Sequence, residues 1–443
     1  MTSGRACMYT PRAPHDNADR TSLIERDTRQ ADHARVREIG AGQIFMSTFS
    51  SNPRPLITVI IPTFNRAELL RRALDSVYAQ EGNGQLFDLE VLVVDDGSTD
   101  RTIEVVRAYP LIKYICPPTN KGTSAARNVG LDAATGQYVA FLDDDDRWLP
   151  WKLRRQVQTL EEHPELVAVY GQEIKNSDRA IWVWPEPQDA PSGSIYRSLL
   201  TSCPVNTSSV MVRRTAIERV GRFDENLRCW EDYDMWLRVA LEGPFRFLAG
   251  PAVIYQVAAS GRFLSSVVTG ESERDLQRVV RAGLERLGGR DTVAPAFREH
   301  VETSVVTRIA GQLLALQEIG MIRTYLLRAV EQAPWLVRMP QLRWTLSTAA
   351  VGTGGLGERD MDQVRDFCSR MKAAGARGGI TERMAARRVQ AEVWRKVAVS
   401  LAECPQRQIG LARLAAARSL AQHPATFGRA LLRILINPMP ALH

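Results

Sequence analysis

Apolar and polar positions change period along the chain, and the changes predict its architecture. Residues 1–52 mix charges with isolated apolar residues and hold no sustained period, closing on the turn-rich Ser50-Ser51-Asn52-Pro53, so a flexible extension is expected there. From Ile57 the pattern tightens. Ile57-Thr58-Val59-Ile60-Ile61 is a β-branched run of the kind buried on both faces of a parallel sheet, and it stops at Pro62. Asn65 with Glu68 three residues on gives a capping-box-like start, after which Leu69, Leu70, Ala73, Leu74, Val77 and Tyr78 share one helical face. The unit then repeats. Val91-Leu92-Val93-Val94 reads as a second buried strand, followed by a capped helix with Ile103, Val105 and Val106. Lys113-Tyr114-Ile115 reads as a third strand, Ser124 to Ala134 as a small-residue helix stopped near Gly136, and Tyr138 to Leu142 as a fourth strand. Strands alternating with helices imply an α/β fold with a parallel sheet.

After about Leu264 the strand signals fade, and Ala, Leu and Arg recur at helical spacing to the C-terminus. Leu327-Arg328-Ala329-Val330-Glu331-Gln332-Ala333-Pro334 and Ala417-Arg418-Ser419-Leu420-Ala421-Gln422-His423-Pro424 keep Arg, Gln and Pro in register, as the ends of related helical hairpins would. A glycine-rich linker falls near 351–358. The expected organisation is an extension over 1–52, an α/β domain over 53–265 and a helical region over 266–443.

Composition narrows the function classes. At 443 residues, 44% apolar and 24% charged, the chain is an ordinary globular sequence long enough for more than one folding unit. No apolar run reaches the roughly 18 residues of a membrane span, and the N-terminus lacks an apolar h-region, so a cytoplasmic protein is expected. Cys7, Cys116, Cys203, Cys229, Cys368 and Cys404 are scattered without metal-ligand spacing and read as free thiols. A net charge of +7 favours phosphates, whether in a nucleic acid, a lipid headgroup or a nucleotide, and charge alone does not choose among them.

The position of the acids is more informative. Ligands of open α/β sheets bind beyond the carboxyl ends of the strands. Here three strand ends carry polar clusters: Pro62-Thr63-Phe64-Asn65-Arg66, then Asp95-Asp96-Gly97-Ser98-Thr99-Asp100, then Asp143-Asp144-Asp145-Asp146. Two carboxylates ~4 Å apart repel by ~4 kcal/mol at an effective dielectric of about 20, and a divalent cation would relieve four in a row. Hard oxygens select Mg2+, Mn2+ or Ca2+, and such an ion can neutralise a substrate diphosphate.

These stretches resemble the family-2 glycosyltransferases of the GT-A fold, whose mostly parallel Rossmann-like sheet is flanked by helices. The resemblance runs from about Ile57 to Ala258. It implies that Pro62, Thr63, Phe64, Asn65 and Arg66 form the nucleotide-contacting turn. It places Asp95 and Asp96 in the second motif, with Asp96 reaching the nucleobase. Asn120-Lys121-Gly122-Thr123-Ser124-Ala125-Ala126-Arg127 is similar to the segment bordering the nucleotide sugar, which implicates Lys121, Gly122 and Arg127 and sets a helix N-terminus near the diphosphate. Phe141-Leu142-Asp143-Asp144-Asp145-Asp146 resembles the DxD motif: Asp145 as direct metal ligand for Mn2+ or Mg2+, Asp144 near the ribose, and Asp143 as first acid in a different register. Asp146 is expected to cap a helix opening at Trp148-Leu149-Pro150. Gly221-Arg222-Phe223-Asp224-Glu225, followed by Trp230-Glu231-Asp232-Tyr233-Asp234, resembles the acceptor-side motif, with Asp232 as general base for an inverting single displacement.

Two departures stand out. Relatives often carry a metal-completing His in a Tyr-Arg-x-His pattern, where this chain has Tyr255-Gln256-Val257-Ala258, and Phe64 stands where they often have Tyr. Two rival readings compete. A receiver domain shares the acidic pair but begins with that strand, and it has no place for the four-Asp run or for Asp232. A non-catalytic nucleotide-sugar-binding homologue would keep the same binding residues. A Rossmann dehydrogenase lacks support, since the turn after the first strand has no glycine fingerprint. The implied partners are a nucleotide-diphospho-sugar (UDP- or TDP-linked) and a saccharide, lipid-linked or protein acceptor, in surface polysaccharide or other glycan assembly; no nucleic acid is expected. The Trp- and Pro-rich stretch with Trp182 and Trp184 either shapes an acceptor site or packs in a core. The basic helical C-terminus suits contact with the inner face of an anionic membrane, a homo-oligomer or a partner protein.

Overall fold

The structure is a computed structural model and describes residues 53–176, 181–256, 262–290, 292–315, 319–334, 336, 358–377 and 380–402. The expected extension over 1–52, the glycines of the linker, the second repeat copy and Ala258 lie outside the described residues. The described chain falls into two compact units. One is built from residues up to Gly193 together with Pro204–Arg222 and Glu242–Ala259; the other contains Ser194–Cys203, Phe223–Leu241 and residues from Ser260 onward.

The first unit is organised on one nine-stranded sheet, whose strands lie in the order Ile112–Ile115, Asp88–Asp95, Leu56–Thr63, Tyr138–Phe141, Val210–Arg213, Ala168–Asn176, Phe245–Gln256 and Arg147–Trp148, with Ile181–Trp184 paired to Ala168–Asn176. Its first half is the repeating strand–helix pattern: β1 (Leu56–Thr63), α1 (Ala67–Tyr78), β2 (Asp88–Asp95), α2 (Thr102–Arg107), β3 (Ile112–Ile115), α3 (Thr123–Ala133) and β4 (Tyr138–Phe141). β1 pairs in parallel with both β2 and β4, and β2 with β3. With neighbours on both sides and helices over the faces, every residue from Ile57 to Thr63 is buried, which is why the run is apolar without alternation. Each of Val59, Ile60 and Ile61 contributes about 1.5–3 kcal/mol by leaving water. Gly130 lets α3 settle onto β1, since a Cβ there would lie 2.5 Å from Ile60 Cγ2.

The second half of the sheet is mixed rather than parallel. It comprises β5 (Arg147–Trp148), β6 (Ala168–Asn176), β7 (Ile181–Trp184), β8 (Val210–Arg213) and β9 (Phe245–Gln256), with α4 (Lys152–Glu162) and α6 (Arg214–Val220) between them. β8 runs antiparallel to β4 and β6, β7 to β6 and β5 to β9, while β6 and β9 are parallel.

Local expectations needed correction where tertiary partners intervene. Asn65 does not cap α1: it sits in the left-handed region at φ 53°, and the Ala67 amide donates instead to Asp100 Oδ2 at 3.0 Å from the following loop. In α2 Val105 and Val106 are buried but Ile103 faces out. Trp148 belongs to β5, and helix α4 begins only at Lys152, so Asp146 caps no helix there.

The second unit holds only helices among its named elements: α5 (Tyr196–Thr201), α7 (Glu231–Val239), α8 (Arg262–Thr269), α9 (Glu271–Gly288), α10 (Pro295–Ala315), α11 (Ile319–Gln332), α12 (Glu358–Arg377) and α13 (Ile380–Ala402). On α9 the buried residues Leu276, Val279, Val280, Gly283, Leu284 and Leu287 recur at the three-to-four spacing of a core-facing stripe. Among the described residues no helix is long and apolar enough to cross a membrane.

Candidate active site

The sheet register aligns the polar strand ends. Thr63 pairs with Asp95 across β1 and β2, and Ile60 with Phe141 across β1 and β4, so Asp143–Asp146 emerge beside Thr63 at the point where the chain reverses its direction of travel across the sheet. Pro62 and Thr63 are buried at this edge, while the Phe64 ring is 45% exposed. Asn65 fixes the turn: its amide donates to Ser98 Oγ at 2.8 Å and its Oδ1 accepts from the Thr99 amide at 2.7 Å.

The four aspartates occupy four different environments. Asp143 pairs with Arg127 at 2.7 Å, a guanidinium that is itself only 3% exposed. Asp144 accepts from Thr63 Oγ1 at 2.8 Å and from Arg66 Nη1 at 2.9 Å; burial nonetheless pushes its pKa up to about 6 against the pull of Arg66. Asp145 also pairs with Arg66 Nη1, at 2.8 Å, and burial and then the charge of Asp143 raise its pKa. Asp146 is fully buried. It accepts from Ser208 Oγ at 2.6 Å and from the Gln256 amide at 3.2 Å, and burial with the charges of Asp143 and Asp145 holds it far above the usual carboxylate range.

Crowded carboxylates with raised pKa values fit a hard cation, and Asp143 and Asp145 are the more exposed of the four. Among the described residues no group of three or more His, Cys, Asp or Glu is arranged to hold a metal alone. Carboxylates suit a hard ion such as Mg2+ or Mn2+, and Asp143 and Asp145 are the two that could hold one.

Asp95 and Asp96 organise the loops on the other side of β1. Asp95 accepts from the Ser98 amide at 2.7 Å and from the Tyr114 hydroxyl at 2.6 Å. Asp96 accepts from the amides of Lys121 at 2.9 Å and Gly122 at 2.7 Å, with Gly122 at φ 91° opening α3. A protein carboxylate thus already sits at the N-terminal side of α3, where the resemblance set the diphosphate. The Lys121 side chain is exposed.

Asp232 belongs to the second unit, in the first turn of α7 with Glu231 and Asp234. Its Oδ1 accepts from the Tyr233 amide at 2.7 Å. Asp234 is buried between Arg238, at 2.8 Å, and Arg286, at 3.1 Å, a structural role.

The glycosyl transferase family 2 profile matches residues 58–221. An uncharacterized glycosyltransferase of Nostoc sp. is 32% identical over 241 residues, which cover 52% of this chain and 72% of that protein. The chain belongs to glycosyltransferase family 2. The chain is also 27% identical over 192 residues to the Escherichia coli UDP-Glc:alpha-D-GlcNAc-diphosphoundecaprenol beta-1,3-glucosyltransferase WfaP, covering 42% of this chain and 71% of WfaP. It is 33% identical over 191 residues to the succinoglycan biosynthesis protein ExoO of Rhizobium meliloti, covering 40% of this chain and 54% of ExoO. Across such curated relatives the matched span runs from 30% to 72% of their own length. The mixed sheet with its flanking helices is the GT-A fold of this family.

The first unit gathers Pro62–Arg66, Asp95, Asp96, Lys121, Gly122, Arg127 and Asp143–Asp145 along one strand edge and its loops. Two residues there carried no role in the sequence reading. Ser208 bridges the acidic run, donating to Asp146 and accepting from the Asp143 amide at 3.1 Å; its Asn206-x-Ser208 turn is a local signal, but only β8 beside β4 brings it there. Tyr255 is the other: burial and then the charges of Asp146, Glu173, Asp143 and Asp145 raise its phenol pKa, which marks it as a neighbour of the acids.

Proposed function

We propose that the protein transfers a glycosyl group from a nucleoside-diphosphate sugar, UDP- or TDP-linked, to an acceptor hydroxyl with inversion, in the assembly of a surface polysaccharide or related glycan. The observation that carries this reading is the convergence of four acids, Asp143 and Asp145 the more exposed of them, with Arg66 and Arg127 at the switch point of a family-2 sheet. The exposed Phe64 ring and Asp96 receive the base, Asp144 the ribose, and Arg127 and Lys121 the negative charge of the diphosphate. Asp145 and Asp143 would hold Mn2+ or Mg2+, which when bound supplies Lewis-acid neutralisation of the leaving diphosphate. Asp232 takes the proton of the acceptor hydroxyl as the oxygen attacks the anomeric carbon, and the nucleoside diphosphate departs from the opposite face. WfaP acts on a diphosphoundecaprenol-linked sugar, and a lipid-linked saccharide is the acceptor class this reading favours over a free saccharide or a protein.

Calorimetric titration of UDP, TDP and GDP, in Mn2+ and then in EDTA, tests the donor half. Metal-dependent binding of one nucleotide is expected. Binding of none would leave a degenerate, non-catalytic member of the family as the better reading.

A further inference from the structure

The turn that introduces α7 is built against its own preference. Trp230, two residues before Asp232, has φ 64° and ψ 17°, a left-handed conformation that bulky side chains rarely adopt. Partners from the C-terminal helices hold it there. The indole Nε1 donates to the Ser272 carbonyl at 3.1 Å and lies 3.0 Å from Ser272 Oγ. The Arg308 guanidinium lies over the Trp230 ring at 5.5 Å and over the Tyr233 ring at 5.0 Å, while its Nη2 donates to the Thr201 carbonyl at 3.1 Å. One cation from α10 thus grips the residues on both sides of the Glu231-Asp232 pair. Just upstream, the amides of Arg228 and Cys229 both donate to Asp275 Oδ2, at 2.9 and 3.1 Å. Tyr233 is buried, meets Trp230 edge-on at 6.3 Å and donates its hydroxyl to the Leu199 carbonyl.

We infer that Arg308 and Ser272 are positioning residues for the Asp232 carboxylate: they hold Trp230 left-handed and so fix the direction in which the first turn of α7 presents the base. This gives the C-terminal helices a part in catalysis, and it rests on the reading of Asp232 as general base. Freed of its partners, Trp230 relaxes to negative φ and the first turn rotates. Misplacement by about 1 Å costs on the order of 10²-fold in rate.

The test uses the full chain and the sugar nucleotide from a UDP- and TDP-sugar panel that the enzyme hydrolyses with water as acceptor. Water oxygen bonds the anomeric carbon, the carbon–phosphate oxygen bond breaks with its electron pair going to the nucleoside diphosphate, and Asp232 receives the proton. Arg308→Ala is expected to lower kcat at least tenfold with donor KM changed less than twofold, and millimolar guanidinium is expected to restore part of kcat. Amide exchange over 228–236 should accelerate at least tenfold while exchange over 57–66 stays unchanged. Ser272→Ala should show the same pattern more weakly, and it carries the test where Arg308→Ala fails to fold. Wild-type kcat and unchanged exchange in both variants overturn the proposal, and with no measurable turnover in any panel member the exchange result alone decides. Asp232→Asn separates the two readings: full turnover in that variant removes the base assignment, whereas its inactivity beside normal Arg308 and Ser272 variants removes only the positioning role.

Discussion

The strand edge of the first unit and the first turn of α7 reach defined carboxylate positions by opposite means. At the edge, register does the placing: parallel ladders put Thr63, Asp95 and the Asp143–Asp146 run side by side, and each acid then finds a donor on a neighbouring strand, loop or helix. At α7 nothing comparable is available, because a single helix turn offers no ladder. Asp232 instead follows a residue in an unfavourable conformation whose partners lie 42 positions later at Ser272 and farther on at Arg308. The edge is thus placed by ladder pairing, and the helix turn by side-chain partners on other helices.

The sharpest way to break this comparison is at Asp232. Asp232→Asn keeps size and shape but cannot accept the proton, so kcat should fall by about 10²–10⁴-fold with nucleotide affinity unchanged by calorimetry. Retained turnover would show that the acid on α7 is not the one that matters. Next in size is Asp145→Ala, which should weaken Mn2+-dependent nucleotide binding by at least tenfold and leave the binding seen in EDTA unaltered; an unchanged metal requirement moves the ligand role elsewhere. Ser208→Ala removes the donor to Asp146 and the acceptor of the Asp143 amide, and should destabilise the chain by about 1–3 kcal/mol in urea unfolding, since the Asp146 carboxyl is left buried without that donor.

The smallest effect is in pH. Asp144 titrates near 6 when folded, above the ~4 of an unfolded aspartate, so folding takes up a proton between those values. The stability this group contributes is therefore full below about pH 4 and lost as pH rises through 6. Plotted against Asp144→Asn, wild-type stability should decline over that window. A flat difference would mean that the buried carboxyl is compensated by groups other than Arg66 and Thr63.

How much of this was legible in the sequence follows the same division. The strands of the first half could be read because burial on both faces writes an unbroken β-branched run, and the acids at their ends could be read because strand ends are local. The pattern at Asn65 misleads because a capping box is local, whereas the actual acceptor for the first turn of α1, Asp100, comes from the next loop. Asp146 looked like a helix cap for the same reason; its partners, Ser208 and the Gln256 amide, are separated from it by 62 and 110 residues. The segments 194–203 and 223–241 sit within the expected 53–265 domain by sequence but group with the later helices, a distinction that no periodicity encodes.

That interleaving constrains how such a gene can be inherited in pieces. The helical unit is assembled from three stretches separated along the chain, so a single crossover between two relatives cannot exchange it without also exchanging part of the sheet unit. A hybrid joined at 265 would take Trp230 from one parent and both Ser272 and Arg308 from the other. The sheet would arrive intact, while the turn that carries Asp232 would meet helices that had not been selected alongside it. Recombination in this lineage should therefore shuffle whole enzymes more readily than halves.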